Sequence, residues 1–116
     1  MRGGRLAALA FALVVTSAAQ AATVSGELID TFCFAHARIA GKDHAACALR
    51  CIRAGVPAGV LETTTHRVYV LLPATDATPL PPALLAQAGH RVTIDGDVLT
   101  TNGATFLTVR AFRLAR

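Results

Sequence analysis

The alternation of apolar and polar residues along the chain predicts a mainly β domain. Segments rich in Val, Ile, Leu and Thr, bounded by turn-forming residues, predict five strands. They cover residues 23–30, 59–64, 67–72, 91–100 and 105–114. The third is apolar on both faces, which is typical of a central strand. Asn102 and Gly103 predict a tight hairpin turn between the last two strands, and Gly26 and Gly96 predict bulges in the first and fourth.

Two short helices are predicted between these strands. Residues 44–54 are good helix formers, with Asp43 as the expected N-cap and a Gly/Pro stop signal after them. Residues 79–89 predict a helix that starts at prolines and ends at a glycine. This order of elements is that of an OB-fold, a partly open five-stranded Greek-key barrel, with a cysteine-bearing insert at about residues 31–56 after strand 1. A small β-sandwich is the alternative architecture.

The N-terminal residues 1–21 have the features of a cleavable secretory signal. Arg2 and Arg5 precede an uncharged apolar run at 6–15, and Ala-Gln-Ala at 19–21 is a cleavage site. The apolar run is shorter than the roughly 20 residues that a membrane-spanning helix needs. A retained membrane anchor is the alternative. The sequence therefore predicts an exported protein, periplasmic or secreted, without a transmembrane segment after cleavage.

Composition limits what the remaining domain, residues 22–116, can do. The whole chain carries 11 basic and 7 acidic residues. Without Arg2 and Arg5 the balance is 9 against 7, a net charge near +2. No Lys/Arg run is present and aromatic residues are few, which argues against a nucleic-acid surface. Nucleophile-elbow, phosphate-loop, C-x-x-C and haem-attachment motifs are all missing, so the sequence favours a non-enzymatic module.

All three cysteines lie within nineteen residues, at positions 33, 47 and 51. Cys47 and Cys51 are one helical turn apart, and His44 lies on the same flank of the predicted helix. Cys33 and His36 belong to the segment that must fold back toward that helix. These three cysteines, with His44 or His36, predict a metal site. Cys₃His is a known zinc set, and thiolates also suit Cu(I).

Two alternatives to the metal site remain open. A disulfide from Cys33 to Cys47 or to Cys51 would stabilise the domain by about 3 kcal/mol by the loop-entropy argument. The domain would then be a stapled module that recognises a partner protein or a small ligand. The leftover thiol could instead act as a redox group or form a disulfide-linked dimer. Asp30 and Glu27 are expected to be solvated acids at a strand end, and His66 and His90 surface residues.

Three motifs resemble a family of small exported bacterial proteins without an assigned activity. The family pattern is G-E-x-x-D-x-x-C, then C-A-x-x-C, then G-x-P-x-G-x-L. In this chain the matching residues are Gly26, Glu27, Asp30, Cys33, Cys47, Ala48, Cys51, Gly55, Pro57, Gly59 and Leu61. The resemblance covers about residues 26–61. It implies an exported OB-like domain whose hallmark is the cysteine segment, and it implies no substrate.

Overall fold

A computed structural model describes residues 3–4, 7–14 and 19–115. Within them, five strands form a closed barrel in the order β1-β2-β3-β5-β4. The strands are β1 (Gln20–Asp30), β2 (Ala58–Glu62), β3 (Val68–Pro73), β4 (Arg91–Thr101) and β5 (Ala104–Leu114). All neighbouring strands are antiparallel except the parallel pair β3 and β5. The predicted OB-like barrel is confirmed, and closure through β1, which pairs with both β2 and β4, excludes the sandwich.

Close strand contacts explain the two strand glycines. The pairing of β4 with β5 shifts register between Asp95 and Gly96, where a bulge is predicted, but the extra residue there is Arg110 of β5. A Cβ on Gly96 would overlap the carbonyl oxygen of Thr108 in β5. The bulge predicted at Gly26 is wrong, because β1 runs in continuous register with both neighbours there. Gly26 is instead needed where β1 approaches β2, since its Cβ would overlap the carbonyl oxygen of Leu61.

Three short helices accompany the barrel: α1 (Thr31–Ala37), α2 (Ala45–Arg53) and α3 (Pro82–Leu85). The predicted helix at 44–54 is confirmed as α2, and α3 is one turn within the longer helix predicted at 79–89. Helix α1 was not predicted. The N-cap role predicted for Asp43 is wrong, because residues 42–44 form a 3₁₀ turn and α2 begins without a side-chain cap.

The hydrophobic core fills the barrel and extends to two of the helices. It draws on every strand, for example Leu28, Val60, Leu71, Ile94 and Leu107, which are at most 4% exposed. From outside the strands, Ala48 and Ile52 of α2 and Leu84 of α3 join the same cluster. One face of α2 is therefore fixed against the barrel, and its other faces are left for polar and sulfur-bearing side chains.

Residues 7–14 lie outside this core. They have no regular secondary structure, and the large apolar side chains of Leu9, Phe11, Leu13 and Val14 are 79–93% exposed. The other parts of the predicted signal, Arg2, Arg5 and residues 6 and 15–18, fall outside the described residues. No helix in the described part of the chain is both long and apolar enough to cross a membrane.

Replacing Gly96 with alanine tests the close approach of β4 and β5. We expect Gly96→Ala to lower the free energy of unfolding by about 2–3 kcal/mol, because the new methyl group would overlap backbone that cannot move freely. Gly103→Ala is the control: its φ is +83°, but nothing lies within 4 Å of its Cβ position, so only about 1 kcal/mol of backbone strain is expected. Denaturant unfolding measures both, and an equal loss would contradict the steric argument.

Candidate metal centre

A buried carboxylate lies at the point where β1 leaves the barrel and α1 begins. Asp30 is 1% exposed, although the sequence suggested a solvated acid. Its Oδ1 accepts a hydrogen bond from the backbone N–H of Cys33 at 2.8 Å and so caps α1. Its Oδ2 lies 3.1 Å from His44 Nε2, which donates to it. Both oxygens therefore have partners, as a buried carboxylate requires.

The three cysteine sulfurs converge beside this carboxylate. Cys33 lies in the first turn of α1, and Cys47 and Cys51 are one turn apart on α2. Their Sγ atoms all lie within 4.8 Å of one another, and all three residues are half-buried. All three are free thiols, so neither alternative disulfide, Cys33 to Cys47 or Cys33 to Cys51, is present in the structure. The predicted cysteine cluster is confirmed as one spatial unit.

The two candidate histidine ligands occupy different places. His44 joins Asp30 and Cys33 in a second group of donor atoms that lie within 4.8 Å of one another. His36 is exposed and packs its ring against Phe32, with ring centroids 4.4 Å apart. It belongs to neither group, so the structure places His44 beside Cys33 and Asp30 and leaves His36 outside. His66 and His90 are exposed, as predicted.

The surroundings of Cys33 and Cys51 oppose thiolate formation in the absence of a cation. The pKa of Cys33 is raised to about 12, first by burial, then by the hydrogen bond and negative charge of Asp30, and last by Cys51 and Cys47. Burial, followed by its contact with Cys47, also raises the pKa of Cys51. The Nη2 atom of Arg50 donates a hydrogen bond to Cys47 Sγ at 3.5 Å. A bound cation would supply the positive charge that the thiolates otherwise lack.

Sequence reasoning missed Asp30 as a member of the site, although a signal was present. Asp is a favoured N-cap residue, and its side chain bonds the backbone N–H two or three residues later. Asp30 stands three residues before Cys33, which is this spacing. Because no helix was predicted at 31–37, the aspartate had no predicted helix to cap.

Comparison with known proteins adds no identification. No protein-family model, curated protein or solved structure matches the chain. The family resemblance drawn from the three motifs therefore stays a prediction.

Removing the Asp30 carboxylate tests its structural role. In metal-free protein, we expect Asp30→Ala to lower the free energy of unfolding by about 2 kcal/mol, because the α1 cap and the partner of His44 are both lost. Asp30→Asn should lose less, since its amide oxygen can still accept from Cys33 N. Denaturant unfolding in the presence of a chelator is the measurement. Wild-type stability in Asp30→Ala would show that the carboxylate does not fix α1.

The raised pKa of Cys33 predicts slow thiol chemistry. In metal-free protein carrying Cys47→Ser and Cys51→Ser, we expect Cys33 near pH 7.5 to react with an aromatic disulfide about 30-fold more slowly than a thiol of ordinary pKa. The lower thiolate fraction outweighs the greater nucleophilicity of a more basic thiolate. Because the pKa is raised, the rate should keep rising with pH beyond 9. The urea-unfolded protein is the control, and a rate that levels off near pH 9 would contradict the shift.

Proposed function

We propose that this chain is a small exported module that binds a soft or borderline metal ion, zinc or copper, at Cys33, Cys47 and Cys51. The observation that carries the proposal is the approach of three free sulfurs to within 4.8 Å of one another. Thiolates at this spacing are ligands for zinc and for Cu(I). His44 lies with Asp30 and Cys33 in the adjoining group of donor atoms and is the candidate histidine at this site.

The contacts around the sulfurs support a metal site over a redox thiol. Reactive cysteines have lowered pKa values, whereas burial and Asp30 raise the pKa of Cys33. The 3.1 Å contact between Asp30 and His44 joins the start of α1 to the segment before α2 and so holds the two cysteine-bearing helices together. No catalytic role is proposed for these residues.

Export is proposed from the N-terminal sequence and from where the core begins. The apolar side chains at positions 9, 11, 13 and 14 are exposed rather than packed on the barrel. Among the described residues, the first that packs against the core is Ala22, directly after the expected cleavage site. Cleavage after Ala21 would remove the exposed residues 9–14 and also the first two residues of β1, Gln20 and Ala21, which pair with β4, and would leave the core residues in place.

A groove beside the cysteines supports a second candidate function, recognition of a partner protein or a small ligand. It has a volume of about 510 Å³ and is lined by Thr31, Phe32, Ala35, His36 and residues 54–57. Its lining is mostly apolar, and Phe32 is 56% exposed. The groove offers few polar groups to fix a ligand, whereas the sulfur cluster offers three donors of one kind, so metal binding is the favoured function.

Metal content of a cysteine variant tests the main proposal. We expect protein purified from its exported location to carry an equimolar metal ion, visible as extra mass in native but not in denaturing mass spectrometry. Cys47→Ser should hold only background metal after dialysis against a chelator, because one of three sulfur ligands is gone. His36→Ala should keep the wild-type content and is the matched control.

Two results would contradict metal binding. One is equal metal content in Cys47→Ser and wild type. The other is alkylation of only one cysteine in denatured, unreduced protein, which would establish a disulfide and favour the stapled recognition module.

Processing of the N-terminus tests export. We expect the exported protein to begin at Ala22, as measured by its intact mass. Ala21→Leu should accumulate as the uncleaved chain, because signal cleavage needs a small residue at that position. Exported protein that still contains residues 9–14 would contradict the cleavage prediction.

A further inference from the structure

We infer that the metal is Cu(I), held by the sulfurs of Cys33, Cys47 and Cys51 alone, with His44 kept out of the coordination shell by Asp30. This inference rests on the proposed metal-binding function and names the ion. It is carried by the way the donor atoms divide into two groups.

The two groups of donor atoms overlap at one residue only. One contains Cys33, Cys47 and Cys51, and the other contains Asp30, Cys33 and His44. Ligand atoms of a tetrahedral zinc site lie about 3.3–3.8 Å apart, given metal–ligand distances near 2.0–2.3 Å. Four such atoms would all fall within 4.8 Å of one another. Among the described residues, no four donors meet that spacing, so the site offers three sulfurs without a fourth ligand.

Neither ring nitrogen of His44 lies within 4.8 Å of all three sulfurs, and Nε2 is already engaged. Its Nε2 donates to Asp30 Oδ2 at 3.1 Å, and the two side chains are 14% and 0% exposed. Turning Nε2 toward a metal would leave a buried carboxylate oxygen without its partner, which costs about 1–3 kcal/mol or more for a charged group. His36 cannot take its place, because it is exposed and packed on Phe32. The residues present therefore favour an ion that is stable with three ligands.

Cu(I) meets this requirement better than zinc does. Structural zinc sites are almost always four-coordinate and closed. Cu(I) is a soft ion that thiolates select, and it is stable with three of them. Three thiolates around a monovalent ion leave excess negative charge, and Arg50, which donates to Cys47 Sγ, offsets part of it.

X-ray absorption at the metal edge tests the coordination directly. Reduced, metal-free protein is loaded anaerobically with one equivalent of Cu(I) or, separately, of Zn(II). We expect Cu(I) to show three sulfur neighbours and no nitrogen. Affinity alone does not decide between the metals, because Cu(I) outcompetes zinc at most thiolate sites. The number and kind of neighbouring atoms do decide.

Two variants extend the test, with a chromophoric Cu(I) chelator as competitor. His44→Gln keeps an N–H that can bond Asp30, and we expect its Cu(I) affinity to stay within about tenfold of wild type, as for a residue that only supports the ligands. Cys51→Ser should bind Cu(I) at least about 100-fold more weakly, because a ligand itself is lost.

The outcomes separate the two levels of the proposal. A nitrogen neighbour of Cu(I), or four-coordinate zinc with three sulfurs and one nitrogen that is lost in His44→Gln, would overturn the Cu(I) inference and leave the metal site standing. Failure of the wild-type protein to bind either ion would overturn both.

Discussion

The arrangement of the cysteine cluster depends on one buried carboxylate. Asp30 ends the first strand, where it pairs with Ala58 in the barrel wall, so its position is set by the strand pairing of the barrel. Once buried there, the carboxylate needs hydrogen-bond donors, and it finds them in the backbone of Cys33 and the ring of His44. It thereby starts α1 and ties it to the segment that leads into α2. Two stretches of the insert that are distant in sequence are thus held to the same point on the barrel.

The position of α2 is set independently, by packing. Ala48 and Ile52 belong to the barrel core, and the start of the helix lies so close to Gly89 that a Cβ there would be 2.6 Å from the Cα of Ala45. Gly89 also has φ of +82°, a conformation that glycine adopts readily. With the helix fixed on this face, Cys47 and Cys51 project from an adjoining one and meet Cys33. The site therefore forms where α1, held by Asp30, faces the packed helix α2. Bringing the three sulfurs together requires both helices to be held in place.

The sequence predicted the strands and α2 better than it predicted how the elements around the cysteines contact one another. Strands and the Asn102–Gly103 turn were predictable because alternation and turn chemistry are local, and α2 because its residues favour a helix. Grouping of Cys33 with Cys47 and Cys51 was predictable from their proximity in the chain. Helix α1 was not, because TFCFAHA has little intrinsic preference for a helix, and it is the Asp30 cap that starts it. The choice between His44 and His36 was also beyond the sequence, since it depends on where Asp30 is buried.

The same features that disfavour a reactive thiol make the cluster responsive to a cation. Burial and the charge of Asp30 keep Cys33 protonated at neutral pH, so a metal ion must displace protons to bind, and its apparent affinity rises with pH. The unfavourable free energy of forming several thiolates in one place is offset only by a ligand that contacts all of them together. A proton acceptor or an oxidant that reacts with one sulfur at a time does not contact all three sulfurs together and so provides no such compensation. For this reason, three converging sulfurs, with the pKa raised at Cys33 and Cys51, are better matched to a single ion than to three separate reactions.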